Sequence, residues 1–132
     1  MKQALENAAK FCLYWHSGQD DRNGDPYFLH PFAVMNMCET YEQKMVALLH
    51  DIIEDTDCPI KDLADAFPQE VFAAVMSITR GDGENYFDYI RRLSNNPLAK
   101  YVKIRDLQHN LSRGIIPDSL KERYERALAM LK

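Results

Sequence analysis

Ala47-Leu48-Leu49-His50-Asp51-Ile52-Ile53-Glu54-Asp55-Thr56 is the stretch on which the fold turns. Met45, Leu48, Leu49, Ile52 and Ile53 recur at the i, i+3, i+4, i+7, i+8 spacing of a helix with one face in a core. Such a helix ordinarily keeps its charges on the opposite face. Here the His50-Asp51 pair interrupts the apolar run itself. His50 with Glu54, and Asp51 with Asp55, stand one helical turn apart, so each pair stacks along one side of the helix. A carboxylate is almost never fully buried without a partner. A divalent cation is the simplest partner for an imidazole and a carboxylate together.

The chain on either side reads as helices throughout and as an all-α bundle of about seven or eight of them. A first helix runs from near Lys2 to about Ser17, with Ala8, Phe11, Cys12 and Trp15 on one side. Gly18 to Pro26 is a polar loop with two glycines and three aspartates. A second helix covers about Leu29 to Cys38, with Pro31 in the first turn, where its missing N–H is harmless. The third spans about Tyr41 to Glu54. Shorter helices follow from Pro59 to about Ala66, and from Pro68 with Val71, Phe72, Val75 and Ile78 as the apolar side. After the loop Arg80–Glu84 come helices over Tyr86–Leu93 and about Leu98–Ser112, the latter closed by Gly114 as a C-cap glycine. A terminal helix with Leu120, Tyr124, Leu128 and Leu131 closes the core.

A chain of 132 residues fits a single domain over 1–132. Its 46% hydrophobic content excludes a disordered chain. The net charge of −4 argues against a nucleic-acid binder, which carries a basic surface. It leaves room for a small phosphorylated substrate, because a site metal supplies local positive charge. Cys12, Cys38 and Cys58 are odd in number and lack C-x-x-C spacing, as expected of free thiols in a reducing compartment. The absence of a leader and of a long apolar run points to a cytoplasmic protein without a membrane partner.

Three segments supply candidate metal ligands: His30 before Pro31, His50-Asp51, and Asp106 within Val102-Lys103-Ile104-Arg105-Asp106. Two imidazoles and two carboxylates suit Mn²⁺, Fe²⁺, Co²⁺, Ni²⁺ or Zn²⁺. A metal so held would acidify bound water and polarise a phosphorus centre. Softer candidates for gripping a substrate are Arg80 and Tyr86, in and after the second polar loop.

These segments, in this order, resemble the HD-domain metal-dependent phosphohydrolases. The likeness is strongest to the hydrolase domain of the stringent-response (p)ppGpp synthetase/hydrolases and to small alarmone hydrolases. It is carried by His16-Ser-Gly18-Gln19, by Gly24-Asp25-Pro26-Tyr27-Phe28-Leu29-His30-Pro31, by Ala47 to Thr56, by Ile60-Lys-Asp-Leu63 with Phe67, Val71 and Thr79, and by Lys103-Ile-Arg-Asp106-Leu-Gln-His109-Asn110. The resemblance implies an all-helical HD domain. It implies a divalent metal, Mn²⁺ first, on His30, His50, Asp51 and Asp106. It further implies that Glu54 and Asp55 handle the attacking water and the leaving group's proton, that Asn110 binds sugar or phosphate, and that Lys103, Arg105 and Arg22 neutralise phosphate. The implied substrate is a small phosphorylated nucleotide, with a (p)ppGpp-type 3′-pyrophosphate as the leading candidate and another nucleotide phosphate as the alternative.

Two departures stand out. Where the family has a basic pair after Gly-Gln, this chain has Asp21-Arg22, so an acid takes the first basic position. A carboxylate repels phosphate and cannot stack on a base as a guanidinium does. The late helix reads Asp106-Leu-Gln-His109-Asn110 where the family has Asp-Arg-Leu-His-Asn. Neither touches the metal ligands; both bear on which nucleotide is recognised. A different class of function, a non-catalytic module that holds nucleotide or metal, would not need the Glu54 and Asp55 pair.

Overall fold

Helix punctuation follows the sequence closely. The computed structural model describes residues 1–132 and contains nine helical segments: α1 (Lys2–Trp15), α2 (Leu29–Asn36), α3 (Tyr41–Leu49), α4 (Ile52–Asp55), α5 (Ile60–Ala66), α6 (Gln69–Ile78), α7 (Tyr86–Leu93), α8 (Pro97–Ser112) and α9 (Asp118–Leu131). Thr40 and Gln43 form a capping box at the start of α3, each side chain bonding the other residue's backbone N–H. Asn85 accepts from the N–H groups of Phe87 and Asp88 at the start of α7, and Asn96 from that of Ala99 at the start of α8. Gly114 follows α8 with φ +58°, a left-handed conformation that an L side chain resists. The only β feature is an isolated bridge between Asp20 and Pro26, which pinches the α1–α2 loop.

The expected third helix, Tyr41 to Glu54, is in fact two. It breaks at His50-Asp51, where Asp51 has φ −101° and ψ −4°, in the sparsely populated bridge region. The side chains explain the break. His50 Nδ1 turns back 2.5 Å from the Ala47 carbonyl oxygen, offering the backbone a local competitor to helical bonding. The Asp51 carboxylate is held by Tyr27 Oη at 2.5 Å.

Helix α3 is the hub. Met45, Val46, Ala47, Leu48 and Leu49 are all buried, because α1, α2, α6 and α8 surround it. That enclosure accounts for the unbroken apolar run, since a helix buried on all sides needs no polar stripe. A core of 19 buried residues gathers α1 to α3, α5, α6 and the first half of α8. A second cluster of six, Tyr89, Ile90, Leu93, Leu107, Ala127 and Leu131, joins α7 and α9 to the second half of α8. Helix α8 therefore bridges the two clusters and carries Asp106 between them. No helix is long and apolar enough to cross a membrane.

Candidate functional site

His30 and His50 are 3% and 2% exposed and Asp106 is 3% exposed, in a site assembled from α2, the α3–α4 break and α8. Asp106 Oδ1 lies 2.8 Å from His30 Nε2 and 3.2 Å from His50 Nε2. Asp51 Oδ2 lies 3.1 Å from His50 Nε2 and 3.9 Å from His30 Nε2. One donor atom each from His30, His50 and Asp106 falls within 4.8 Å of the others. Asp51, half-buried, completes the four residues expected from the sequence.

The hydrogen bonds give this cluster a centre that can hold a cation. His50 Nδ1–H donates to the Ala47 carbonyl, so Nε2 is the atom turned toward two carboxylate oxygens. A lone pair there would face two acceptors. Burial alone would lower the His50 pKa, but Asp51 and Asp106 outweigh it and push it up to about 9. A proton fills the role in their midst, and a divalent ion fits the same donor set, with the backbone carbonyl fixing the imidazole tautomer. His30 is fixed in turn by His109, whose Nδ1 lies 2.7 Å from His30 Nδ1. Burial and the neighbouring His30 lower His109 to about 4, so it stays neutral.

Lys103 Nζ bonds Asp106 Oδ2 at 2.9 Å and lies 5.4 Å from the centre of the Tyr89 ring. Burial works against each charge, yet the pair holds Asp106 well below the usual carboxylate range and Lys103 well above the usual amine range. Glu54 and Asp55 stand beside this cluster. Reduced hydration and the nearby Asp51 charge push Glu54 up to about 7 and raise Asp55 in the same way. Asp55 is anchored through its backbone, since Gln19 Nε2 donates to its carbonyl at 2.8 Å, while Gln19 Oε1 lies 2.8 Å from His16 Nδ1. His16 is 1% exposed and packs on the Tyr27 ring, their centres 5.0 Å apart.

His30, Asp51, Glu54, Asp55, Lys103 and Asp106 line a cavity of about 480 Å³, within the range of small-ligand sites. Four of the expected substrate contacts line it: Arg22, Tyr86, Lys103 and Asn110. The Tyr86 hydroxyl is buried without a hydrogen-bond partner. Arg80 lies elsewhere. It lines an adjoining cavity that shares Glu54 and Asp55, because its Nε is tied to the Glu84 carbonyl at 2.8 Å. Arg105 is also absent from the main cavity, since it packs over Tyr101 and bonds Gln108 instead. Sequence reasoning missed Arg113, Arg123 and Tyr124 on the cavity wall. Their only signal was a cluster of basic and aromatic residues around a helix assigned wholly to the core.

No family model matches the chain. Bifunctional (p)ppGpp synthase/hydrolase SpoT of Escherichia coli K12 is 32% identical over 111 residues, covering 73% of this chain and 16% of SpoT. The chain belongs to the family of SpoT- and RelA-type (p)ppGpp hydrolase/synthetases. A GTP pyrophosphokinase of Streptomyces coelicolor is 29% identical over 120 residues, covering 81% of this chain and 14% of the relative. A guanosine-3′,5′-bis(diphosphate) 3′-pyrophosphohydrolase of Aquifex aeolicus is 27% identical over 121 residues, 83% of this chain and 17% of the relative. The chain thus spans only 14% to 17% of the length of these SpoT- and RelA-type relatives. Among solved structures, a metazoan orthologue of SpoT that hydrolyses ppGpp superposes with a TM-score of 0.78 at 21% identity, covering 97% of this chain and 84% of that one. The fold is the all-helical HD-domain bundle.

Proposed function

We propose that this chain is a divalent-metal-dependent phosphohydrolase that removes the 3′-pyrophosphate of (p)ppGpp, with Mn²⁺ as the metal. The observation that supports it most is the convergence of His30, His50 and Asp106, with Asp51 3.1 Å from His50, at the wall of a cavity that Glu54 and Asp55 also line. Proteins named as 3′-pyrophosphohydrolases among the homologues supply the substrate class. In this reading residues 1–132 act as one HD domain. The three free, buried cysteines suit a cytoplasmic setting.

His30, His50, Asp51 and Asp106 would hold the metal. When bound, it supplies Lewis acidity toward a phosphate oxygen and lowers the pKa of water. The chain's own residues do the rest. Tyr27 Oη and Lys103 Nζ fix the two ligand carboxylates. Glu54 and Asp55 move the protons: a water oxygen forms a bond to phosphorus, the bond from phosphorus to the ribose O3′ breaks, and the proton taken from water is returned to O3′. A carboxyl group pushed up to about 7, as Glu54 is, can hold or release a proton near neutral pH. Arg22, Tyr86 and Asn110 would contact the nucleotide from the cavity wall, and Lys103, already paired with Asp106, adds positive charge behind them. Arg80, tied to the Glu84 carbonyl, would meet substrate only in the adjoining cavity that shares Glu54 and Asp55.

The test is turnover of ppGpp by purified protein with Mn²⁺, read as GDP and pyrophosphate by chromatography. Glu54→Gln is expected to lower kcat on the order of 10²-fold or more while metal content stays the same. No product from ppGpp or from a panel of nucleotides, with Mn²⁺, Co²⁺ or Zn²⁺, would overturn the assignment. A second reading, hydrolysis of a less highly phosphorylated nucleotide, is favoured by one observation, the acidic Asp21 on the cavity wall.

A further inference from the structure

Four cationic side chains line the main cavity: Arg22, Lys103, Arg113 and Arg123. Two are already committed to carboxylates. Lys103 is held by Asp106 at 2.9 Å. Arg113 Nη2 donates to Asp21 Oδ2, also at 2.9 Å, across a sequence separation of 92 residues. The pair is sheltered, with the Asp21 and Arg113 side chains 9% and 21% exposed. Asp21 does not depend on Arg113 for its position. Its Oδ1 accepts the backbone N–H groups of Asn23 at 2.8 Å and Asp25 at 3.0 Å, and the Asp21 N–H bonds the Asp25 carbonyl at 2.8 Å. The loop therefore aims this carboxylate at the cavity whether or not a guanidinium faces it.

Resting on the second reading above, hydrolysis of a less highly phosphorylated nucleotide, we propose that Asp21 determines specificity by masking Arg113, so that the cavity selects nucleotides carrying fewer phosphate charges. A phosphate that engages Arg113 meets a fixed carboxylate on the same guanidinium. It must either compete for Arg113 or accept like-charge repulsion at short range, where screening by solvent is weak. Each added phosphate at this wall raises that penalty. A nucleotide with a short phosphate chain, seated on the metal ligands and on Arg22 and Arg123, avoids it. The neutral Asn is the natural comparison. Its Oδ1 still accepts from the Asn23 and Asp25 N–H groups, so the loop keeps its shape while the charge disappears.

The experiment measures binding of GMP, GDP and GTP to the full chain in excess Mn²⁺ by calorimetry, for wild type, Asp21→Asn and Arg113→Gln. The quantity read is the ratio of GTP to GMP affinity, in which metal chelation by the nucleotide is common to all variants. Asp21→Asn is expected to raise this ratio about tenfold, the effect of removing one close like charge, and Arg113→Gln to lower it. A ratio unchanged within about twofold by Asp21→Asn, in a protein whose melt shows it folded, would reduce Asp21 to a loop-building residue and overturn the proposal. Turnover of ppGpp is scored separately. Hydrolysis with an unmoved ratio sinks this inference alone. A moved ratio without hydrolysis of any nucleotide sinks the hydrolase assignment alone, and no binding of any nucleotide sinks both.

Discussion

At the scale of single residues, His50 and Asp51 were legible because they break a local rule, standing where an apolar helix face should be, whereas His30 and Asp106 became candidates only through their order along the chain and the family resemblance. Residues that support the ligands break no rule and were harder to see. Lys103 looked like a phosphate contact, yet its nearest partner is Asp106. The clue was its position three residues before Asp106 on the same helix face. Replacing Lys103 by Met leaves Asp106 buried without its cation, and losing one partner of a buried pair costs about 3–5 kcal/mol. Urea melts of Lys103→Met without metal should show that loss, and saturating Mn²⁺ should recover part of it, since the ion then neutralises Asp106. A loss equal with and without metal would mean that the two cations do not share Asp106. His16 gives a second residue-scale prediction. Its Nδ1 orients Gln19, which holds the Asp55 backbone. Asn can present its amide where Nδ1 stands, whereas Phe cannot. His16→Asn should stay within a few-fold of wild type, while His16→Phe should lose about 10- to 100-fold in kcat with KM and metal content unchanged. Equal losses for both variants would show that His16 matters through packing alone.

At the scale of elements, boundaries were readable where punctuation is chemical. Proline at 59, 68, 97 and 117 opens or precedes α5, α6, α8 and α9, and Gly114 ends α8. The break between α3 and α4 was not readable, because hydrophobic periodicity continues unchanged through His50-Asp51. What interrupts the helix is a pair of side-chain bonds, to the Ala47 carbonyl and to Tyr27, and the second partner is remote in sequence. The α6–α7 connection shows the same limit. Arg92 on α7 bonds the carbonyls of Ser77 and Thr79 and pairs with both Glu84 oxygens, at 2.9 and 3.0 Å. This fork closes the loop that carries Arg80. Bonds from Arg92 and from the Gly81 N–H lower Glu84 from 4.5 to about 2. A folded-state value below the unfolded one means that the pair stabilises fully above pH 4.5 and loses its effect as pH falls toward 2. Glu84→Gln should therefore lower stability by about 0.5–1 kcal/mol near neutral pH. The gap from wild type should narrow steadily as the pH is lowered through that window in a series of thermal melts. A gap independent of pH would assign the loss to geometry rather than to the Glu84 charge.

At the scale of the whole molecule, the metal-ligand candidates bind the fold together. His30, His50 with Asp51, and Asp106 come from α2, the α3–α4 break and α8, and α8 spans both apolar clusters. The all-helical architecture was legible because the apolar residues recur at helical spacing nearly throughout. Part of the cavity wall was not, because Arg123 and Tyr124 lie on α9 and reach the site only once that helix has folded back over α8. A ligand that joins three elements and is bound only by the folded state stabilises by mass action, by about 2.7 kcal/mol at one hundred times its Kd. Chelation by EDTA should thus lower the melting temperature of the full chain, and added Mn²⁺ should restore it in proportion to the logarithm of its concentration. The effect should be uneven. Amide exchange in α2, α3 and the middle of α8 should slow most on metal binding. Exchange in α9, which offers no ligand and has only Ala127 and Leu131 fully buried, should change least. Exchange that slowed uniformly over all the helices would show one cooperative unit. Exchange unchanged by Mn²⁺, together with an unmoved melt, would show that the buried imidazoles and carboxylates are satisfied by the proton and by Lys103 alone, and the metal-dependent reading would then fail at its base.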